Sequence, residues 1–219
     1  MFEDRREAGR KLAAALAKLN LRDPVALALP RGGVPVAAEV AGALAAPHDL
    51  VIVRKVGVPG NAELAAAAIV DGDPPDIVLN REVIEACRLS DDSLAALVAL
   101  ERLELARRRA AYLGKRRPVP VAGKTAILID DGAATGTSMK AAIRALRRRS
   151  AAAVVAALPV APAATVDDLR REVDVVVCLS SPAHFRALGE FYRDFEQLSD
   201  ADVLAAMEAA GHPRAKPGS

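Results

Sequence analysis

A chain of 219 residues that is 52% apolar can bury one substantial α/β core, and a formal net charge of +2 gives no electrostatic case for a nucleic-acid partner. Its two cysteines, Cys87 and Cys178, lie far apart and match no metal spacing, as expected of free thiols in a reducing compartment. The charged N-terminus MFEDRREAGRK lacks a secretory apolar region and no apolar run approaches membrane length, so a cytoplasmic protein with no membrane partner is expected.

Residues 3–19 carry Ala8, Leu12, Leu16 and Leu19 at helical spacing among charges, which predicts an amphipathic helix outside a sheet, stopped near Asn20. Residues 25–29 read as a short buried strand, ended by the turn Pro30-Arg31-Gly32-Gly33; a helix then runs from Pro35 to about Leu44. Two glycines let backbone approach a ligand closely, and the Arg31 guanidinium suits phosphate oxygens. Residues 49–53 are a second strand, and the cations Arg54 and Lys55 at its end can meet an anion. Residues 57–61, with Gly57, Pro59 and Gly60, read as a mobile loop, and the lone Glu63 beyond it as surface. Residues 67–80 read as two short strands around a turn. A long charged helix from Ser90 to about Leu113 has acids early, arginines late and Glu104 four residues before Arg108, a scaffold element serving as an insertion or a subunit contact. The basic runs 107–109, 115–117 and 147–149 read as solvated faces.

The stretch AILIDDGAATGTSM, residues 126–139, is the most informative. Four apolar residues without alternation predict a strand covered on both faces, and Asp130 and Asp131 follow at its C-terminal end. The glycine- and hydroxyl-rich turn opens a helix over 139–149, and backbone N–H groups at such a start make an anion site. The acids stand too close to that site to be phosphate ligands and suit neutral hydroxyls; a polyol phosphate satisfies both. Gly132 and Gly136 enclose three residues with no lysine after them, which excludes a P-loop, and the chain has no G-x-G-x-x-G. A strand (152–160), a helix (165–171) and a last strand (173–179) follow. The alternation predicts an α/β, doubly wound, mostly parallel sheet with helices on both faces, in which ligands bind outside the strands' carboxyl ends. PRGG, Arg54-Lys55 and DDGAATGTS each follow a strand, so one cleft could gather all three. We expect a single domain over 1–210, with a core of about 25–180, a helical insertion of about 90–114 and a disordered tail at 211–219.

The central stretch resembles the phosphoribosyl-pyrophosphate (PRPP) motif of the type I phosphoribosyltransferases: four apolar residues, two acids and a turn ending T-G-x-[TS]. The resemblance implies a Rossmann-like core that moves the 5-phosphoribosyl group from PRPP to a nitrogen acceptor, such as a nucleobase in nucleotide salvage, with Mg²⁺ and release of pyrophosphate. It implies that Asp130 and Asp131 hold the ribose hydroxyls and Mg²⁺ through water, that Ala133, Ala134, Thr135, Gly136, Thr137 and Ser138 wrap the 5-phosphate, and that Gly132 also belongs to the PRPP site. PRGG is similar to the family's pyrophosphate loop, which implies that Arg31, Gly32 and Gly33 bind PRPP, that the Pro30–Arg31 bond is cis, and that Arg31, Arg54 and Lys55 stabilise the leaving group under a closing loop. Ala134 stands where the hypoxanthine/guanine branch carries an Asp, so the A-T-G form is more similar to the adenine branch. Phe185, Phe191, Tyr192 and Phe195 fall where the family builds part of its base pocket; helical spacing assigns Phe191 and Phe195 to the core and leaves Phe185 and Tyr192 for the pocket. His184 is a weak acid/base candidate, and His48 and His212 read as surface. The partners implied are PRPP and a small-molecule acceptor, with a homo-oligomer left open. A PRPP- or nucleotide-sensing module without turnover is the alternative, and a dehydrogenase-like dinucleotide binder is disfavoured by the missing fingerprint.

Overall fold

The computed structural model describes residues 1–72, 74–114 and 116–211, apart from the side chains of residues 62, 63, 210 and 211. The expectations for His212, for the side chain of Glu63 and for the tail beyond residue 211 lie outside the described residues. The chain gathers into two compact units, residues 1–50 with 118–219, and residues 51–117.

The first unit begins with α1 (Arg5–Leu16), β1 (Pro24–Ala28), α2 (Gly33–Leu44) and β2 (His48–Leu50). The second holds β3 (Val53–Val58), β4 (Asn61–Val70), β5 (Asp76–Leu79), α3 (Arg81–Ala86) and α4 (Asp91–Leu113). The first then resumes with β6 (Thr125–Ile129), α5 (Thr137–Arg148), β7 (Ala153–Val160), α6 (Ala163–Arg170), β8 (Val175–Ser180), a 3₁₀ turn over Leu188–Phe191, and α7 (Asp200–Gly211).

In the first unit five parallel strands run in the order β2-β1-β6-β7-β8. From β1 the chain steps one way to β2; from β6 it steps the other way to β7 and β8. Right-handed crossovers in opposite directions put their helices on opposite faces, as a doubly wound sheet requires. The all-apolar reading of residues 126–129 is explained by this burial: every residue of β6 is buried, with Ala126 to Ile129 fully enclosed. The direction of winding reverses between β1 and β6, so a crevice opens where those two strands end.

Helix α1 starts because Asp4 accepts a hydrogen bond from the Glu7 backbone N–H at 2.6 Å, while Glu7 reaches back to the Glu3 N–H at 2.7 Å. These reciprocal bonds satisfy donors that a helix start leaves open. The helix buries Ala8, Leu12 and Leu16, as the spacing predicts, and Ala13 as well; Leu19, expected on the same face, is exposed because the α-helix ends at Leu16 and a 3₁₀ turn follows. It also buries Gly9, where a Cβ would lie 2.8 Å from the Val36 carbonyl oxygen, so Gly9 allows α1 to approach α2 closely. His48, expected at the surface, is buried in β2, because this strand begins at His48 and all three of its residues are enclosed.

The second unit is an antiparallel sheet, β3-β4-β5, with α4 against β3 and β4. The residues expected as a loop at 57–61 instead end a hairpin, in which pairing continues to Val58↔Asn61 and leaves Pro59 and Gly60 as the turn. Val56 and Val58 alternate with less buried neighbours, a period-two pattern that outweighs the glycines. Helix α4 buries Val98, Leu105 and Tyr112, seven residues apart, and joins the sheet through Arg109 to Asp71 at 2.6 Å. Glu104 accepts from Arg108 at 2.9 Å, as its spacing anticipates, and from Arg107 at 2.7 Å.

Candidate functional site

Strands β1 and β6 are paired up to Ala28↔Ile129, so the PRGG turn and the Asp130–Asp131 pair leave the sheet side by side. A hydrogen bond from the Leu29 N–H to the Ile129 carbonyl, 2.9 Å, extends that pairing by one step. The Pro30–Arg31 peptide bond is cis. Both glycines of the turn are there because the acids lie against them. A Cβ on Gly32 would sit 2.1 Å from Asp131 Oδ2, and one on Gly33 would sit 2.5 Å from the Ile129 carbonyl oxygen. Any larger residue would push the two loops apart.

Beyond the acids, Gly132 lies at φ 153° with Leu188 where its side chain would be, and the Ala133 N–H donates to the Val160 carbonyl at 3.1 Å. The Ala134 carbonyl accepts from the Thr165 hydroxyl at 2.5 Å, and the Thr135 and Thr137 hydroxyls are 3.0 Å apart. Gly136 takes the left-handed conformation, φ 68°, and caps α5 without a side-chain hydrogen bond. The first-turn N–H groups of a 12-residue helix therefore carry no side-chain acceptor, the arrangement that receives an anion.

The two acids have different surroundings. Asp131 is buried, and its Oδ2 accepts from Arg5 Nε at 2.7 Å. Nothing in the sequence singles out Arg5: it is one of several arginines on a charged helix, 126 positions away. Its place is fixed by the pairing of Phe2 with Tyr192, through Phe2 N–H to the Phe191 carbonyl at 2.7 Å and Arg193 N–H to the Phe2 carbonyl at 2.9 Å. Among the described residues Asp130 has no such hydrogen-bonded counter-ion. Burial, and then the negative charge of Asp131, push its carboxyl well above the usual carboxylate range.

Arg31 lies within 3.9 Å of Asp200 at the start of α7, close enough for an ion pair and too far for a hydrogen bond. Arg54 and Lys55 do not follow a strand of the parallel sheet as expected. Strand β2 stops at Leu50, and both cations sit inside β3 in the second unit, where Arg54 donates to Glu101 at 2.7 Å.

Tyr192, expected as a pocket wall, is 4% exposed and packs with Phe2, Ala8 and Val160. Its hydroxyl donates to the Asp131 carbonyl at 2.5 Å, and burial followed by the charge of Asp131 raises its pKa, so it stays a donor. The expected helix is absent there: residues 188–191 form a 3₁₀ turn, so the helical spacing that sorted these aromatics does not apply. Phe191 and Phe195, expected in the core, are half-buried and pack against the buried cluster of Phe2, Ala8, Val160 and Tyr192. Phe185 is half-buried and stacks on Phe191 at 5.3 Å, and His184 is exposed beside it. Cys178 is half-buried and free, with its thiol pKa raised by burial.

Residues 1–196 match a family model described as the phosphoribosyl transferase domain, and the chain belongs to that family. Two proteins from Mycobacterium tuberculosis, of strains CDC 1551 / Oshkosh and H37Rv, are named provisionally as phosphoribosyl transferases and are each 42% identical to it over 219 residues. The match covers 100% of this chain and 49% of theirs, so the chain spans about half the length of these relatives. The crystal structure of TT1426 from Thermus thermophilus is similar throughout, with 43% identity and a TM-score of 0.82 over 94% of this chain and 97% of that one.

Proposed function

We propose that this chain binds PRPP with Mg²⁺ and transfers its 5-phosphoribosyl group to a nitrogen acceptor, a nucleobase being the class of acceptor best suited. One observation carries the reading: the PRGG turn, the acid pair and the uncapped start of α5 adjoin at the ends of two paired parallel strands. Three kinds of group would then meet three parts of one ligand. The N–H groups over Gly136 to Ser138 receive the 5-phosphate, the acids receive ribose hydroxyls, and Arg31 with the backbone of Gly32 receives the pyrophosphate, while Gly33, whose N–H is bonded to the Leu29 carbonyl at 3.0 Å, lets the turn lie against β6.

The reaction passes through a cationic ribosyl centre leaving a polyanion, so catalysis consists of positioning and of stabilising charge on the leaving group. Arg31 supplies a fixed cation beside that group and gives up a long contact to Asp200 in doing so. Asp130 and Asp131 offer hard oxygen donors, and the raised pKa of Asp130 marks a place where added positive charge is favoured. Bound there, Mg²⁺ would neutralise charge on the pyrophosphate, with Asp130 holding it through water.

The test is a screen of nucleobases with PRPP and Mg²⁺, read as pyrophosphate release. Release with any base supports the transferase; saturable PRPP binding with no release supports a sensing module instead.

A further inference from the structure

Arg5 makes three contacts that hold it in place. Its Nε donates to Asp131 Oδ2 at 2.7 Å, Nη1 donates to the Glu196 carbonyl at 3.0 Å, and the guanidinium lies 3.9 Å above the Phe195 ring. Arg5 and Asp131 side chains are 11% and 9% exposed, so the pair is sheltered from screening by solvent. On its other side the Asp131 carboxylate fills the space that a side chain on Gly32 would need, at 2.1–2.6 Å from that missing Cβ. A chain of direct contacts therefore runs from Arg5 through Asp131 to the backbone of the PRGG turn. Asp130, one residue earlier, takes no hydrogen bond from Arg5; its Oδ1 accepts from the Asp131 N–H at 2.9 Å, and its contact with the turn is at Gly33 rather than Gly32.

We propose that Arg5 is a positioning residue which sets the PRGG turn through Asp131, and that Asp130 is the acid left to meet the ribose hydroxyls. This rests on the phosphoribosyl-transfer reading and divides the work of its acid pair. Removing Arg5 leaves a buried carboxylate with no counter-ion against Gly32. The carboxylate then turns or takes up water, and the turn that receives the pyrophosphate loses its support. Misplacement of such a turn is felt by any ligand that carries pyrophosphate, with or without a ribose.

The experiment is calorimetric titration of inorganic pyrophosphate and of PRPP, each with Mg²⁺, into the wild-type chain, Arg5→Met, Arg5→Lys and Asp130→Asn, with thermal melting of each. Arg5→Met is expected to weaken both ligands by a similar factor of about tenfold. Arg5→Lys keeps the charge without the fork and should recover part of that loss in both. Asp130→Asn should weaken PRPP about tenfold more than it weakens pyrophosphate, because both ligands share the Mg²⁺ and only PRPP adds the ribose hydroxyls. If Arg5→Met weakens PRPP and spares pyrophosphate, or changes neither, the proposal is overturned, and the transferase reading stands. If the wild-type chain binds neither ligand, both fall together. Should Arg5→Met fail to fold, Arg5→Lys decides by the same criterion: parallel losses in the two ligands support the route through Asp131, and a loss confined to PRPP refutes it.

Discussion

Asp130 and Asp131 are adjacent in sequence, yet one is paired with Arg5 while the other is disfavoured as a charge by burial first and by its neighbour's carboxylate second. The sign of the consequence is fixed. A carboxyl whose pKa is raised on folding stabilises the fold below its ordinary value, near 3.8, and loses that contribution as pH rises through the folded value. Ionised Asp130 is thus a cost at neutral pH. Asp130→Asn keeps an oxygen to accept the Asp131 N–H, now 2.9 Å away, and discards the charge. It should melt higher than wild type at pH 7, the gap closing towards pH 4, while PRPP affinity falls about tenfold; a lower melting point at pH 7 would refute the electrostatic account. Tyr192→Ala should cost about 3–5 kcal/mol of stability as a core cavity, and Tyr192→Phe about 1–3 kcal/mol by leaving the Asp131 carbonyl unpartnered. Phe185 remains the aromatic to test at the acceptor: Phe185→Ala should raise the acceptor's KM and spare PRPP affinity, on the scale of about 1–3 kcal/mol that stacking on a base is worth.

Among the elements, the two loops after β1 and β6 act as one piece because glycine at position 32 lets a carboxylate lie against backbone. Gly32→Ala should therefore weaken PRPP binding at least tenfold and lower stability by about 1–3 kcal/mol, the usual cost of forcing extra volume into a packed site. Gly60→Ala is the control: it forces alanine into φ 81° with open space around it, so a stability loss of about 1–2 kcal/mol from backbone conformation alone is expected. Gly32 itself has φ −60°, which any residue adopts, so a similar effect of both variants on PRPP affinity would mean that the contact with Asp131 is not what the site requires. The hairpin β3-β4 carries a second lesson about elements. Glycine and proline at 57–60 suggest a loop to a reader of the sequence, whereas they end a strand whose alternate valines, Val56 and Val58, are buried, and form its turn into β4.

For the whole molecule, the expectation is thermodynamic. PRPP with Mg²⁺ at about 100 times its dissociation constant should stabilise the fold by about 2.7 kcal/mol through mass action, and PRPP with a chelator far less. An unchanged melting temperature at millimolar PRPP and Mg²⁺ would remove the central assignment. The chain covers 49% of the length of its Mycobacterium tuberculosis relatives, so the same titration on a full-length relative would show whether this unit binds alone as it does in the longer protein.

What the sequence determined by itself was whatever lies within one local stretch. The apolar run of β6, its two acids, the glycine turn and the helix after it are contiguous, and each is set by its own periodicity, charge and backbone freedom, so the sheet and the PRPP-like motif could be read directly. Tertiary structure alone decided what crosses the chain. The pairing of Phe2 with Tyr192 brings Arg5 onto Asp131 over 126 positions, and it turns Tyr192 from a candidate pocket wall into core. The strand boundary at Leu50 moved Arg54 and Lys55 from the end of a strand in one sheet into an edge strand of another. Local patterns fix which face of an element is apolar; which distant side chain neutralises a buried charge depends on where the ends of the fold meet.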